Sequence, residues 1–401
     1  MNVNKYFESY RIMYSSFDAF HKGGLKTYNF ITTLFFLVSK FKFLFRIKNL
    51  NIQFKSDIIE VIFSKNQLKS SDALEINNSF KLLFGVKSLK TNETYISDLI
   101  LIKLSLKFSD EIYNTLKIIK SDALLIKNSF RVIKLVVLNE IFKSINFNNV
   151  KTIIQYNDHS PYNLMTFEYF KSIGIKTVYC QHAPVSYKFP RLYHDLNLLF
   201  SEDSKEKYEK KGPSSKELMI IGDIRFWNIN VKKKNTNKKN IITALICFNK
   251  LDCIRSVKDC VNFLNSNNID VILRKHPSDN IQIEGNKHTI ISTNANIYDD
   301  LALCDIVITN ESATPLESIF LHIPTYIYRF KPRKGTIAVF DNYSFMKKGL
   351  ILQDFILLEN LLKAILNYDL VYEKNKLNYF IGPVSQKTNI LKKINSKLEI
   401  S

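Results

Sequence analysis

No stretch of this sequence reads G-x-x-x-x-G-K-[ST], and no G-x-G-x-x-G follows a candidate strand. The first pattern cradles phosphates in P-loop proteins and the second admits a dinucleotide at a Rossmann turn, so both chemistries drop in rank. The five cysteines, Cys180, Cys247, Cys253, Cys260 and Cys304, contain no C-x-x-C pair, and the seven histidines show no i, i+4 spacing. A zinc site is therefore unsupported, and reduced, buried thiols are the plain reading. The opening residues, MNVNKYFESYRIMYSS, lack the basic, apolar and small-residue succession of a secretory signal, so a cytoplasmic protein is expected. No unbroken apolar run approaches the ~20 residues needed to span a bilayer. The nearest candidate, Tyr28 to Leu50, has Ile31, Leu34, Phe35, Phe36, Leu37 and Val38 followed by Lys40, Lys42, Arg46 and Lys48. It reads first as a buried element and second as a basic amphipathic element on an anionic leaflet.

Acidic residues are outnumbered, 37 against 57 Lys and Arg, for a formal charge of +20. That charge draws the chain toward anionic partners such as nucleotides or acidic lipid headgroups. Nucleic acid is set aside, because lysines spread along the chain predominate over arginines clustered with aromatics.

At 401 residues, 46% of them hydrophobic, the chain exceeds the size at which one core stops growing, and two domains are expected. Residues 1–150 are mostly helical in period, with candidate strands at Ile58 to Phe63 and Leu99 to Leu104. One segment, Ser71 to Phe80 (SDALEINNSF), nearly returns as Ser121 to Phe130 (SDALLIKNSF). Ser-Asp ahead of an apolar helical pattern predicts two similarly capped helices. From residue 151 short β-rich runs alternate with helical stretches, the pattern of parallel α/β structure. The polar stretch 232–240 (KKKNTNKKN) reads as a linker. Two Rossmann-like α/β domains facing a central cleft follow, over residues 1–230 and 231–401, with the last helix a candidate to cross back.

The chemistry-bearing motifs sit after candidate strands, where such domains bind ligands. Asn157-Asp158-His159-Ser160-Pro161 sets a carboxylate beside an imidazole, and either side chain could take a proton from a hydroxyl. The same run also reads as a helix cap supplied by Asp158 or Ser160, and the two roles can coexist. Gln181-His182-Ala183 is a second polar loop, also readable as ordinary loop structure. Arg274-Lys275-His276-Pro277 brings cations and an imidazole to a strand end, as a leaving nucleotide phosphate requires. Finally, Asn310, Ser312 and Thr314 lead into a helix whose first N–H groups suit an anion, with Glu317 as acceptor for a ribose diol. Thr314 and Glu317 also match a capping box.

In this order, the Asp-bearing loop, Gln-His-Ala, R-x-His-Pro and the Ser/Thr loop running into a Leu-Glu helix and an Ile-Pro strand (HIPTYIY) resemble bacterial GT-B glycosyltransferases of surface polysaccharides. The resemblance covers about residues 150–350 and is greatest to the groups containing sialyltransferases, Kdo transferases and CDP-glycerol polymerising enzymes. It implies Asp158 as base, His276 on a CMP phosphate, and Ser312 with Thr314 on the same phosphate. Two departures are visible: Asp158 is followed by His159 where those families often carry two acids and Gly, and Ala313 splits the serine pair. The resemblance also implies no bound metal, since Lys, Arg, His and helix termini supply the positive charge.

The expected activity is transfer of Kdo or a sialic-acid-like sugar from its CMP donor onto a glycan of O-antigen, lipooligosaccharide or capsule. No cofactor is expected beyond the donor substrate. Catalysis falls to Asp158, His159 and His276, and donor binding to Gln181, His182, Arg274, Lys275, His276, Pro277, Asn310, Ser312, Thr314 and Glu317. The alternatives are a polyol-phosphate transferase using CDP-glycerol or CDP-ribitol and, in another class, a non-catalytic glycan- or lipid-binding subunit. The basic N-terminal segment further predicts work at the inner face of the cytoplasmic membrane on a lipid-linked acceptor.

Overall fold

Aliphatic and β-branched runs bounded by polar loops form strands, and where helices cover both faces such strands are buried throughout. The computed structural model describes residues 31–399 apart from 33, 36–51, 53, 55, 87–92, 123–124, 127, 186–188, 213–216, 228, 230–240, 250, 277–278, 280–282, 295, 311 and 334–343. The first sheet comprises β1 (Ile58–Ile62), β2 (Phe80–Phe84), β3 (Glu93–Ile96), β4 (Thr152–Gln155), β5 (Lys176–Cys180), β6 (Leu196–Leu199) and β7 (Glu217–Ile220), in the order β3-β2-β1-β4-β5-β6-β7. The second comprises β8 (Thr243–Phe248), β9 (Asp270–Lys275), β10 (Thr289–Ile291), β11 (Ile306–Thr309), β12 (Thr325–Tyr328) and β13 (Asp354–Phe355), in the order β10-β9-β8-β11-β12-β13. Every strand pairing within the two sheets is parallel. Strand order reverses between β1 and β4 and again between β8 and β11, so each domain has a crevice at the carboxyl ends of its central pair. This is the expected α/β class with two Rossmann-like domains.

The α/β alternation begins at Ile58, well before residue 151, and β2 and β3 were not expected. Leu99 to Leu104, expected as a strand, lies within the helix Asp98–Lys107. Ser97 decides the matter: its hydroxyl accepts from the Ile100 N–H at 3.2 Å, satisfying a first-turn donor. Leu101 and Leu104 are then buried while Ile102 faces solvent. The near repeat does not give two similarly capped helices. In the first copy Ser71 and Asp72 fall in the last turn of the helix Lys65–Leu74, because Ser64 has already capped it. In the second, Asp122 does cap, accepting from the Leu125 N–H at 3.0 Å. Residues 232–240 lie outside the described residues. Of the segment 28–50, Ile31 and Phe35 pack in the first domain's core and Leu34 is exposed. No helix among the described residues is long and apolar enough to cross a membrane.

The chain returns to its beginning. Ile390, Ile394 and Leu398 of the helix Lys387–Glu399 are buried against Ile58, Ile62 and Ile154 of the first sheet. Gly382 makes this crossing possible with φ 69° and ψ −161°, a region essentially reserved for glycine. A Cβ there would collide with the Phe200 carbonyl. Beside it the Asp223 N–H donates to the Ile381 carbonyl at 2.6 Å, and the Ser344 hydroxyl donates to Asp203 at 2.9 Å. These contacts all involve residues beyond the carboxyl ends of β6 and β7, so those ends of the first sheet meet the second half of the chain.

Candidate active site

The first switch point is pinned from below. Glu60, fully buried in β1, accepts from the Ser79 hydroxyl and from the Tyr156 hydroxyl, the latter at 2.5 Å on Oε2. The loop then folds around Asn157, whose Oδ1 accepts from the N–H groups of His159 at 3.0 Å and Ser160 at 2.7 Å. Ser160 caps the helix Pro161–Ser172, accepting from the Asn163 N–H at 3.3 Å. Capping therefore falls to Ser160 and leaves the Asp158 carboxylate for other partners.

Both of its oxygens are engaged. Oδ1 accepts from His159 Nδ1 at 2.9 Å and Oδ2 from the Tyr208 hydroxyl at 2.5 Å, and Tyr208 in turn lies 3.2 Å from the Tyr179 hydroxyl. Burial works to raise the Asp158 pKa, yet the bonds and charge from His159 and the bond from Tyr208 hold it below its ordinary value. Burial and the Asp158 charge push the Tyr208 hydroxyl well above 10. A carboxylate at Nδ1 places the imidazole proton there, which leaves Nε2 as an acceptor. The His159 ring lies 4.3 Å from the Phe189 ring, tilted 44° to it, and Nε2 lies 3.4 Å from the Asn157 amide nitrogen. Its side chain is 11% exposed against 1% for Asp158, so of the two only the imidazole opens outward.

Gln181 faces inward. Its Oε1 accepts from the Phe200 N–H at 2.8 Å, and Nε2 donates to the Ala183 carbonyl and the Ser204 hydroxyl, each at 2.9 Å. Next to it, His182 has a buried Nδ1 without a hydrogen-bond partner. Burial, then the charge of His159, pushes its pKa down to about 4, with Arg225 lowering it and Asp158 opposing. At neutral pH this imidazole is uncharged.

Arg225 follows β7 and is set by two neighbours. Asp223, itself fully buried, accepts from Nε at 2.9 and 3.1 Å and from Nη2 at 2.5 Å, and the guanidinium lies 5.6 Å from the Phe226 ring centre. Nη1 reaches Glu317 Oε1 in the second domain at 3.5 Å. Glu317 is pushed up to about 6 by burial, with Asp223 adding to the shift and Arg225 and Arg274 opposing it. The Tyr298 hydroxyl is buried without a hydrogen-bond partner, and burial, then the Glu317 charge, holds its pKa well above the ordinary value, with Arg225 opposing.

The other second-domain candidates divide. Arg274 Nη1 binds Asp300, the Ser292 hydroxyl at 3.3 Å and the Asn294 carbonyl at 3.1 Å, bracing the end of β9. Lys275 is half-buried and His276 exposed, with the His276 N–H donating to the Phe248 carbonyl at 3.0 Å. Pro277 lies outside the described residues. Asn310 donates to Asp252 at 2.6 Å, tying together the two loops of the second switch point, while its Oδ1 is buried and unpartnered. Ser312 accepts from the Thr314 N–H at 3.2 Å. The helix Thr314–Phe320 has Ala313 as its cap and no side-chain cap bond. The capping-box alternative is thus not realised, and Glu317 is free to meet Arg225.

Asp158 and His159 therefore form one group whose charges reach His182, and Arg225, whose charge His182 also feels, meets Glu317 across the two halves. Sequence reasoning missed Glu60, Tyr208, Asp223, Arg225 and Tyr298. Asp223 and Arg225 had a signal: they follow a candidate strand, the same rule that selected the other motifs. Tyr208 sits inside a helix of ordinary composition and had none. Among the described residues no group of three or more His, Cys, Asp or Glu side chains is arranged to hold a metal ion.

No protein-family model matches the chain, and no curated protein matches it in sequence. Solved structures do match in fold. UDP-N-acetylglucosamine 2-epimerase from Rickettsia bellii aligns at 11% identity and TM-score 0.51, covering 86% of this chain and 96% of that one. The wall teichoic acid polymerase TagF, as its H444N variant with CDPG, aligns at 11% identity and TM-score 0.51 over 100% of both chains. The calicheamicin glycosyltransferase CalG4 aligns at 8% identity and TM-score 0.51, covering 86% of this chain and 98% of that one. At such identities the likeness is one of fold, the two-domain GT-B architecture.

Proposed function

We propose that this chain transfers a glycosyl group from a nucleotide donor to a hydroxyl of a cell-surface glycan, with His159 as the base. The observation that carries the reading is the buried relay Tyr208–Asp158–His159 at the first switch point, whose outer member offers Nε2. In the reaction Nε2 takes the proton of the acceptor hydroxyl as its oxygen bonds to the anomeric carbon. The bond from that carbon to the donor phosphate breaks, and its electron pair leaves with the nucleotide. Asp158 acts through His159 as a positioning residue, because both its oxygens are already occupied; this replaces the sequence expectation of Asp158 as base. Glu317 holds the ribose diol, and Lys275 and His276 at the end of β9 meet the leaving phosphate, with Ser312 and Thr314 beside it. These cations and helix termini serve in place of a metal. A CMP-linked Kdo or sialic-acid-like sugar is the donor we favour, on the motif resemblance. A lipid-linked acceptor at an anionic membrane surface fits the charge of +20.

A polyol-phosphate transfer from CDP-glycerol or CDP-ribitol is the second reading, favoured by full-length alignment with TagF. Incubation with a panel of both donor types and mass spectrometry of the acceptor separates the two. Added glycosyl mass supports the first and added polyol phosphate the second; neither, with a folded protein and the right acceptor, rejects transfer.

A further inference from the structure

Three polar groups in the crevice are underused in this structure, and they come from both domains. Arg225 has five N–H donors, of which Asp223 holds Nε and Nη2 at 2.5–3.1 Å. Nη1 meets Glu317 only at 3.5 Å, beyond the usual range for an N–H···O bond. His182 Nδ1 and the Tyr298 hydroxyl are buried with no hydrogen-bond partner, and both feel the Arg225 charge. Buried polar groups are nearly always paired in folded proteins. Two such unpartnered atoms within electrostatic reach of a cation that holds a slack bond mark a place for a further polar ligand.

Arg274, which the sequence offered as the phosphate ligand, is tied to Asp300, Ser292 and Asn294. Arg225 is held differently. Its position is fixed by the Asp223 fork and the Phe226 ring, while one edge of the guanidinium points across the domain boundary. At 25% exposure, with Glu317 at 13%, it is open enough to be reached and enclosed enough for its charge to count.

We propose that Arg225 is the first domain's ligand for an anionic oxygen group of the donor, and that its contact with Glu317 is a clasp that the donor replaces. On binding, the ribose diol takes Glu317, and the freed Nη1 edge meets the anion, flanked by the Tyr298 hydroxyl and His182. Arg225 would thus make donor binding a two-domain event, drawing together the halves that carry His159 and Glu317. The proposal rests on the transferase reading above in taking the ligand to be nucleotide-borne. The anion is either the phosphate of the nucleotide or the carboxylate of the sugar.

Isothermal titration of the full chain with cytidine, CMP and a free sugar acid (N-acetylneuraminate or Kdo) tests it. For Arg225→Met combined with Asp223→Asn, which removes the fully buried Asp223 charge together with its cation, the preference for CMP over cytidine falls about tenfold or more, the worth of a charge-assisted bond. Cytidine affinity stays within about twofold, since the base and sugar contacts are untouched. Loss confined to the sugar acid instead assigns the carboxylate as the group bound. In Glu317→Gln the preference for CMP over cytidine rises, because the clasp is gone, although cytidine itself binds more weakly. A CMP preference and a sugar-acid affinity both unchanged in the two variants overturn the assignment while leaving the transferase reading standing. Failure of the unmodified protein to bind any of the three overturns both together.

Discussion

Replacing Asp158 by Asn leaves the shape of the relay intact and changes what it can hold. The carboxylate accepts twice, from His159 Nδ1 at 2.9 Å and from the Tyr208 hydroxyl at 2.5 Å, whereas an amide offers one acceptor and one donor. If its NH2 faces the imidazole, the ring proton moves to Nε2 and the base is lost. If its NH2 faces Tyr208, the tyrosine must turn its proton away, and the imidazolium that forms in the reaction has no counter-charge. General-base catalysis contributes about 10² to 10⁴ in rate, so kcat falls by about that factor, or ~3–5 kcal/mol of barrier. Donor KM changes little, because Asp158 does not touch the donor. The stability effect has its own signature. The folded-state pKa of Asp158 is depressed, so its charge stabilises the fold above the unfolded value of about 4 and that contribution disappears as pH falls through the folded value. Thermal midpoints of the variant and the unmodified protein therefore differ most near neutrality and converge in acid. Nucleotide release assayed across pH, with melting at pH 7 and pH 3, reads both effects. A variant that keeps kcat within about threefold while melting normally refutes the relay, since a base worth so little lies outside the range for proton transfer.

Tyr208→Phe removes the second donor to Asp158 and leaves the Tyr179 hydroxyl without that partner. It costs about 1.5–3 kcal/mol in stability and lowers kcat less than Asp158→Asn does; a larger kinetic loss than Asp158→Asn counts against the order of the relay. Glu317→Gln removes a carboxyl whose pKa burial has raised to about 6, so the native charge destabilises the fold as pH rises through 6. The variant is more stable by about 2 kcal/mol at pH 8 and equal below pH 4, measurable by urea unfolding; a difference independent of pH contradicts the assignment. Gly382→Ala forces a Cβ into the Phe200 carbonyl at a glycine-only backbone, and destabilises by about 3 kcal/mol or more. An unchanged thermal midpoint means the crossing is not as tight as described.

Much of this architecture was legible because parallel strands are buried on both faces and read as unbroken apolar runs, as in Ile306–Thr309 and Thr325–Tyr328. In the first 150 residues β1 was legible, whereas β2 and β3 were not, because β2 carries Lys81 and β3 is a four-residue run that opens on Glu93 and Thr94. Their pairing is decided by long-range contacts, not by local pattern. Leu99 to Leu104 went astray for the opposite reason: its apolar residues are too dense to show a period, and only the Ser97 cap settles it. At the site, the strand-end rule located Asp158, His159, His182 and Glu317. It could not say which oxygen is free and which is bonded, since Tyr208 approaches from 50 residues away. Arg225 was passed over in favour of Arg274, and only the partners Asp300 and Asp223 distinguish a brace from a bridge.

The most direct test of the account is the position of CMP in a crystal of the complex. The account predicts the ribose against Glu317 and the phosphate in the crevice between the two sheets, turned toward the open edge of His159. A nucleotide bound on the far side of either sheet, away from His159, contradicts it.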